Sequence, residues 1–326
     1  MATLKDVAQK AGVTVTTVSR VINNRGYLSE KTKEKVRQAM AELNYRPNEL
    51  ARSLSRQTSN TIGIITPHIS HPYFSLLISH LESAASRHNF KILLCNSKED
   101  RVKETEYIDL CKSNRVAGVI FCGMILAFEK YNQLDFPFVA IECNSPLFVS
   151  TILCDNYSGG RMAAEHLIAR GCRHLMHFSG SIIGQEMPGD IRARAFADVC
   201  QENGLPFHNR WIKDSPFPVS DCRDFIRQAL IDHPHTDGIF ASSDLIAAQV
   251  IQVCSDLRIR IPEDIRLVGF NDISLASLTT PPITTIRQPL HEMADIAVDA
   301  LIKSSCHKTV PSEIVLPVTL IKRQST

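Results

Sequence analysis

Apolar residues recur at Leu4, Val7, Ala8 and Ala11, the i, i+3, i+4, i+7 spacing of one buried helical face, and Gly12 follows where such a helix must stop. Glycine accepts the left-handed backbone of a helix end at little steric cost. Thr14 then stands as N-cap of a second helix, with Val18, Val21 and Ile22 on its inner stripe and Val15, Thr16, Thr17, Ser19 and Arg20 outside it. Ser29 before Glu30 opens a third, striped by Val36, Ala39, Met40 and Leu43. The spacing predicts three short helices around one small core, the first two laid out as a helix-turn-helix. Its outward face is small, polar and basic, which makes DNA the first partner to consider.

Glu49 to Ser59 carries a weak amphipathic pattern, with Leu50, Ala51 and Leu54. So short a helix is marginal alone in water, because nucleation is costly, and it needs a partner to form. From Thr61 the texture changes to apolar runs alternating with helical stretches, the sign of βαβ units on parallel sheets. Thr61–Ile65, Ile92–Cys95, Val119–Cys122 and Phe138–Ile141 read as strands of a first series, with Phe74, Leu77, Ile78, Leu81 and Ala85 striping the helix behind the first strand. A second series begins with a helix over Arg161–Arg170 and a strand over Leu175–Ser179, and continues through Ile239–Ala241 and Arg266–Gly269. Two such sheets predict two lobes, with a ligand cleft beyond the carboxyl ends of the strands.

Charge is unevenly spread along the 326 residues. The first 60 hold eleven Lys or Arg against five Asp or Glu, so they carry +6 and the remainder carries −4. That asymmetry is the footprint of a basic nucleic-acid module fused to a mildly acidic body. The ten cysteines are scattered without a C-x-x-C pair, which fits reduced, buried thiols of a cytoplasmic protein. The polar N-terminus does not read as a secretory signal, and Val116–Phe128 is too short an uncharged run for the roughly 20 residues of a spanning helix.

Catalytic signals are weak. His68/His71 and His174/His177 have H-x-x-H spacing, which is not the i, i+4 pair of a helical metal site. Gly180–Gly189 lacks dinucleotide and Walker spacings, and no G-x-S-x-G elbow occurs. The expectation is no catalytic residue, no metal and no cofactor.

Leu4-Lys5-Asp6-Val7-Ala8, Ala11-Gly12-Val13, Thr17 to Asn23, Ser29 to Thr32 and Asn44-Tyr45-Arg46-Pro47-Asn48 resemble the DNA-binding domain of the LacI/GalR family of transcriptional regulators. The likeness continues through Asp155-Asn156, Gly159-Gly160, Ser243-Asp244, Gly269-Phe270-Asn271-Asp272 and Thr284 to Pro289, so it covers essentially the whole chain. Asn24 to Thr32 looks similar to regulators of sucrose utilisation.

The resemblance implies a small all-α helix-turn-helix domain at 1–47, a hinge helix and linker at 48–60, and a bilobed α/β body at 61–326. The body would have a periplasmic-binding-protein-like pair of doubly wound parallel sheets, its N-lobe about 61–157 and 291–317, its C-lobe about 158–290 and 318–326. Val15, Thr16 and Arg20 would face base edges, the Arg fork matching guanine O6 and N7. Thr3, Thr14, Thr17, Ser19, Asn23 and Ser29 would contact phosphates, which set register without reading sequence. Leu54 would wedge into the minor groove.

In the cleft, the resemblance places Pro67, His71, Tyr73, Phe74, Glu142, Arg192, Phe217, Ser243, Asn271 and Gln288 around an effector, a sugar or sugar-phosphate. This chain departs from the family pattern with Glu142 in place of Asp, Ala195 in place of Gly, and Asn271-Asp272 where some members have two acids. The implied partners are a palindromic double-stranded operator, a small effector and a second copy of the chain, with no membrane. Two alternatives stay open: a solute-binding receptor without a regulatory role, and a regulator answering to a non-sugar ligand such as a purine.

Overall fold

In the computed structural model, each of the first three helices starts on a hydroxyl side chain. Thr3 opens α1 (Leu4–Ala11) with a capping box, its Oγ1 accepting from the Asp6 N–H at 3.3 Å while Asp6 Oδ2 accepts from the Thr3 N–H at 2.8 Å. Gly12 ends that helix at φ +65°. Thr14 accepts from the Thr17 N–H to start α2 (Val15–Ile22), and Ser29 accepts from the Thr32 N–H to start α3 (Glu30–Glu42). Val7, Val18 and Val36, one from each helix, are fully buried together with Ala8, Ala11 and Ala39. The structure describes residues 2–23, 26–45, 59–122, 136–143, 150–181, 187–213, 221–306 and 308–326. By its contacts the chain divides into residues 1–59 and 60–326.

The larger unit holds two six-stranded sheets among the described residues. The first contains β1 (Thr61–Thr66), β2 (Lys91–Asn96), β3 (Gly118–Phe121), β4 (Phe138–Ile141), β5 (Ser150–Cys154) and β11 (Glu313–Leu316), in the order β11-β5-β4-β3-β1-β2, all parallel. The second contains β6 (Leu175–Ser181), β7 (Phe207–Lys213), β8 (Gly238–Ala241), β9 (Arg266–Asn271), β10 (Thr284–Arg287) and β12 (Thr319–Ile321), in the order β12-β10-β9-β8-β6-β7. Only β12 runs antiparallel to its neighbour there. Helices α4 (Pro72–Arg87), α5 (Arg101–Ser113), α6 (Asn156–Ala169), α7 (Pro188–Glu202), α8 (Arg223–Asp232), α9 (Asp244–Asp256), α10 (Ser274–Leu278) and α11 (Leu290–Ser305) connect them.

Several elements differ from the sequence reading. Helix α6 begins at Asn156 rather than Arg161, because the Asp155 carboxylate accepts from the Ser158 N–H at 2.8 Å and caps it earlier. Strand β6 continues to Ser181, two residues past the expected end. Ile92–Cys95 forms a strand as expected, but it lies on the sheet edge and leaves Leu94 41% exposed. The cysteines in the described residues are free thiols; Cys306 is exposed, against the expectation of burial, and the other nine are buried. No described helix is long and apolar enough to cross a membrane.

Candidate functional site

The outward face of α2 carries the residues expected at base edges. Val15, Thr16 and Arg20 are exposed, and Arg20 makes no ion pair among the described residues. Thr3, Thr14 and Ser29, expected at phosphates, all serve as N-caps. The two expectations are compatible, since a helix N-terminus with a hydroxyl cap is where backbone N–H groups and the helix dipole favour an anion. Thr17 Oγ1 lies 2.9 Å from Thr14 Oγ1, and Asn23 donates from Nδ2 to the Ser19 carbonyl at 2.8 Å. Leu54, and all of 48–60 except the last two residues, lie outside the described residues.

In the larger unit, eight of the residues expected at the effector line one cleft: His71, Tyr73, Phe74, Glu142, Arg192, Ser243, Asn271 and Gln288. Phe217 lies outside the described residues, and Pro67 is buried without reaching the cleft wall. The carboxyl ends of β4 and β9 bring Glu142 and Asn271, the N-terminus of α4 brings His71, Tyr73 and Phe74, and α7 brings Arg192. Ligands in open α/β sheets sit at such strand ends.

Arg192 and Glu142 form the charged centre. The Arg192 guanidinium lies over the Phe270 ring, with its carbon 3.6 Å from the ring centre. It donates from Nε to Asn156 Oδ1 at 2.7 Å and from Nη1 to the Ser242 carbonyl at 2.8 Å, and Nη2 lies 3.6 Å from Glu142 Oε2. Glu142 in turn accepts from the Cys154 N–H at 2.6 Å and from Asn156 Nδ2 at 3.1 Å. Both charges are about nine-tenths buried and face each other, so neither stands uncompensated. Across the cleft, Gln288 donates to Asn271 Oδ1 at 2.8 Å, and Tyr73 donates to Gln288 Oε1 at 3.4 Å. Burial and the neighbouring His68 push the His71 imidazole down to about 4, so His71 is a neutral wall near pH 7.

Two of these residues sit on strained backbone. Glu142 has φ +51° and Asn271 φ +108°, in a region that side-chain-bearing residues rarely adopt. What holds the Asn271 turn is Asp244, buried at the start of α9. Its Oδ2 accepts from the Ile273 N–H at 2.9 Å and its Oδ1 from the Thr285 hydroxyl at 2.6 Å. Beside it, Asp272 binds Arg287 and Arg323, each at 2.6 Å.

Sequence reasoning assigned no site role to Asn156, Ser242, Phe270 or Asp244. Asn156 bridges Glu142 and Arg192, Ser242 and Phe270 hold the Arg192 end of that network, and Asp244 holds the separate turn at Asn271. The one signal available was position, because Asn156 follows the α6 cap and Asp244 follows Ser243 in motifs already singled out. His68, from the H-x-x-H pairs, lies 2.7 Å from Glu99 instead of joining a metal set. Among the described residues no group of three or more His, Cys, Asp or Glu is placed to hold a metal ion.

Fold and cleft together define a class: a helix-turn-helix unit followed by a two-sheet, periplasmic-binding-protein-like body. Residues 3–48 match the bacterial regulatory proteins of the lacI family, and residues 164–326 match the periplasmic binding protein-like domain. The chain is 35% identical over 327 residues to the ribose operon repressor of Halalkalibacterium halodurans, covering all of this chain and 97% of the relative. It is 36% identical over 330 residues to the sucrose operon repressor of Streptococcus mutans, covering all of this chain and 99% of that one. A crystal structure of the lac repressor dimer bound to operator and the anti-inducer ONPF is similar with TM-score 0.86 and 25% identity, over 99% of this chain and 98% of the other. The chain belongs to the lacI family of bacterial regulatory proteins.

Proposed function

We propose that this chain represses a carbohydrate-utilisation operon, binding a palindromic operator as a dimer and releasing it when a sugar enters the cleft. The observation that carries the reading is the cleft itself: eight residues from distant parts of the sequence converge on one opening, in a chain whose residues 3–48 match the lacI family of regulatory proteins. A helix-turn-helix reads one half-site, so two-fold symmetry of the protein pairs with two-fold symmetry of the operator. Val15, Thr16 and Arg20 take the base edges, while Thr3, Thr14, Thr17, Ser19, Asn23 and Ser29 take phosphates. Leu54 takes the minor-groove wedge, and the hinge segment folds as it does so. Arg192, Glu142, Asn271 and Gln288 hydrogen-bond the sugar hydroxyls, with His71, Tyr73, Phe74, Phe217 and Ser243 completing the wall. The relatives named as ribose and sucrose operon repressors support the sugar reading, and their being repressors supports a regulator without catalysis.

The test is fluorescence anisotropy of the full chain on DNA from its own promoter, titrated with ribose, fructose and sucrose. A sugar that weakens operator binding must, by linkage, bind less tightly to the operator complex. Equal sugar affinity with and without operator would overturn the allosteric reading. Non-specific binding is expected to weaken steeply with salt as condensed counterions are released, and a flat response would overturn the DNA role of the basic module.

A further inference from the structure

We infer that the cleft takes an uncharged polyhydroxylated ligand, a free sugar or glycoside, and discriminates against its phosphate ester, with Glu142 as the discriminating residue. This rests on the sugar reading above and goes one step further, to the ionic class of the ligand.

The first observation is the charge of the opening. Among the described residues lining it, Arg192 is the single Lys or Arg, and Glu142 lies 3.6 Å from it. A phosphoryl group drawn to Arg192 would therefore meet a carboxylate as well, in a setting where like charges a few ångströms apart repel strongly. A hydroxyl meets no such conflict. Two of the five Arg192 N–H groups are committed to Asn156 and Ser242. The rest can donate to one hydroxyl oxygen while Glu142 accepts from its neighbour, the fit of a vicinal diol.

The second observation is independent of the first. Three long helices start at this cleft, and a helix N-terminus is ordinarily a ready anion site because its first N–H groups lack partners. Here each start offers an anion fewer donors than usual, because part of its N–H set is missing or already taken. Helix α4 begins with Pro72, which has no N–H, and the Tyr73 N–H donates to His71 Nδ1. Helix α7 begins with Pro188, and the Asp190 carboxylate already accepts from the Met187 N–H at 2.7 Å. Helix α9 begins with the carboxyl residue Asp244, and Ser243 Oγ accepts from the Ile246 N–H at 3.2 Å.

The sequence of the remaining body segments adds no excess of cations, since 123–135, 144–149, 182–186 and 214–220 together hold Glu129, Asp135, Glu186 and Asp214 against Lys130.

The test is calorimetric titration of the full chain with ribose, fructose and sucrose, with ribose 5-phosphate, fructose 6-phosphate and sucrose 6-phosphate, and with inorganic phosphate. The expected result is that at least one free sugar binds tenfold or more tighter than its own ester. Glu142→Gln, checked for folding by its melting curve, is expected to narrow that ratio at least tenfold by removing the repelling charge. Should Glu142→Gln fail to fold, the ratio in the unaltered chain decides the matter. An ester that binds as tightly as the free sugar, or tighter, overturns the inference while leaving the sugar reading intact. Binding of none of these probes by a chain that still binds its operator overturns the sugar reading, and this inference with it.

Discussion

The Arg192 guanidinium is stacked on the Phe270 ring at 3.6 Å, which fixes the plane of the fork and aims its edge into the cleft between Asn156 and Glu142. A lysine would keep the charge but lose the planar fork and the stack. Arg192→Lys is therefore expected to weaken effector binding by about 1.5–3 kcal/mol, the range for hydrogen bonds to a charged group, while operator binding without effector persists. Paired calorimetry and anisotropy measurements check both halves of that statement.

Helices α6 and α7 approach so closely at Gly160 that a methyl group there would lie 2.4 Å from the Arg192 carbonyl oxygen and 2.9 Å from Ala195 Cβ. The side chain would have to displace backbone next to the cleft's only described cation. Gly160→Ala is expected to destabilise the body by about 1–3 kcal/mol, as overpacking does, and to weaken effector binding with it. Urea unfolding followed by effector titration would show whether the two losses travel together.

Arg20 is exposed on the outer face of α2, away from the Val18 core. Arg20→Ala should leave folding intact and lower the preference for operator over random DNA by about 1–3 kcal/mol, the value of one bidentate base contact. Thr14→Ala is the informative contrast, because loss of the α2 cap is expected to cost about 1 kcal/mol of stability in the small unit. Competition assays against random DNA, run beside melting curves, separate recognition from folding.

His177 is fully buried among Phe196, Trp211 and Phe240, and neither ring nitrogen has a hydrogen-bond partner among the described residues. Burial, aided by nearby Arg192, pushes its imidazole down to about 3 from the ordinary 6.5. The unfolded chain then binds a proton between those values that the folded chain refuses, so stability falls as pH drops below 6.5. By pH 5 the loss from this group is about 2 kcal/mol, at about 1.4 kcal/mol per pH unit. His177→Phe is expected to remove that share of the acid sensitivity. Urea midpoints at pH 7 and pH 5 for both proteins measure it, and an unaltered pH dependence in the variant would assign the sensitivity to other groups.

Legibility differed sharply between parts of the molecule. The first three helices were readable almost to the residue, since their caps and stripes lie within a few positions of one another: Thr3 with Asp6, Gly12 after Ala11, Ser29 with Thr32. Buried strands such as Val119–Phe121 and Phe138–Ile141 announced themselves as unbroken apolar runs. Strand β7, with its sequence Phe-His-Asn-Arg-Trp-Ile-Lys, and the short terminal strands β11 and β12 did not, because edge strands mix polar and apolar residues. Resemblance brought forward Glu142, Arg192, Asn271 and Gln288 as a set, yet passed over Asn156, whose amide joins the first two.

The sequence by itself determined the local elements, the basic first module and the family pattern, because capping, helical periodicity and charge act over short spans of chain. Tertiary structure alone decided that Asn156 clamps Glu142 to Arg192, that Asp244 holds the strained turn at Asn271, and that three helix starts meet around one opening. The first two relations join residues 14 to 36 positions apart and the helix starts lie farther apart still, so which of them meet depends on the order and register of strands in two sheets.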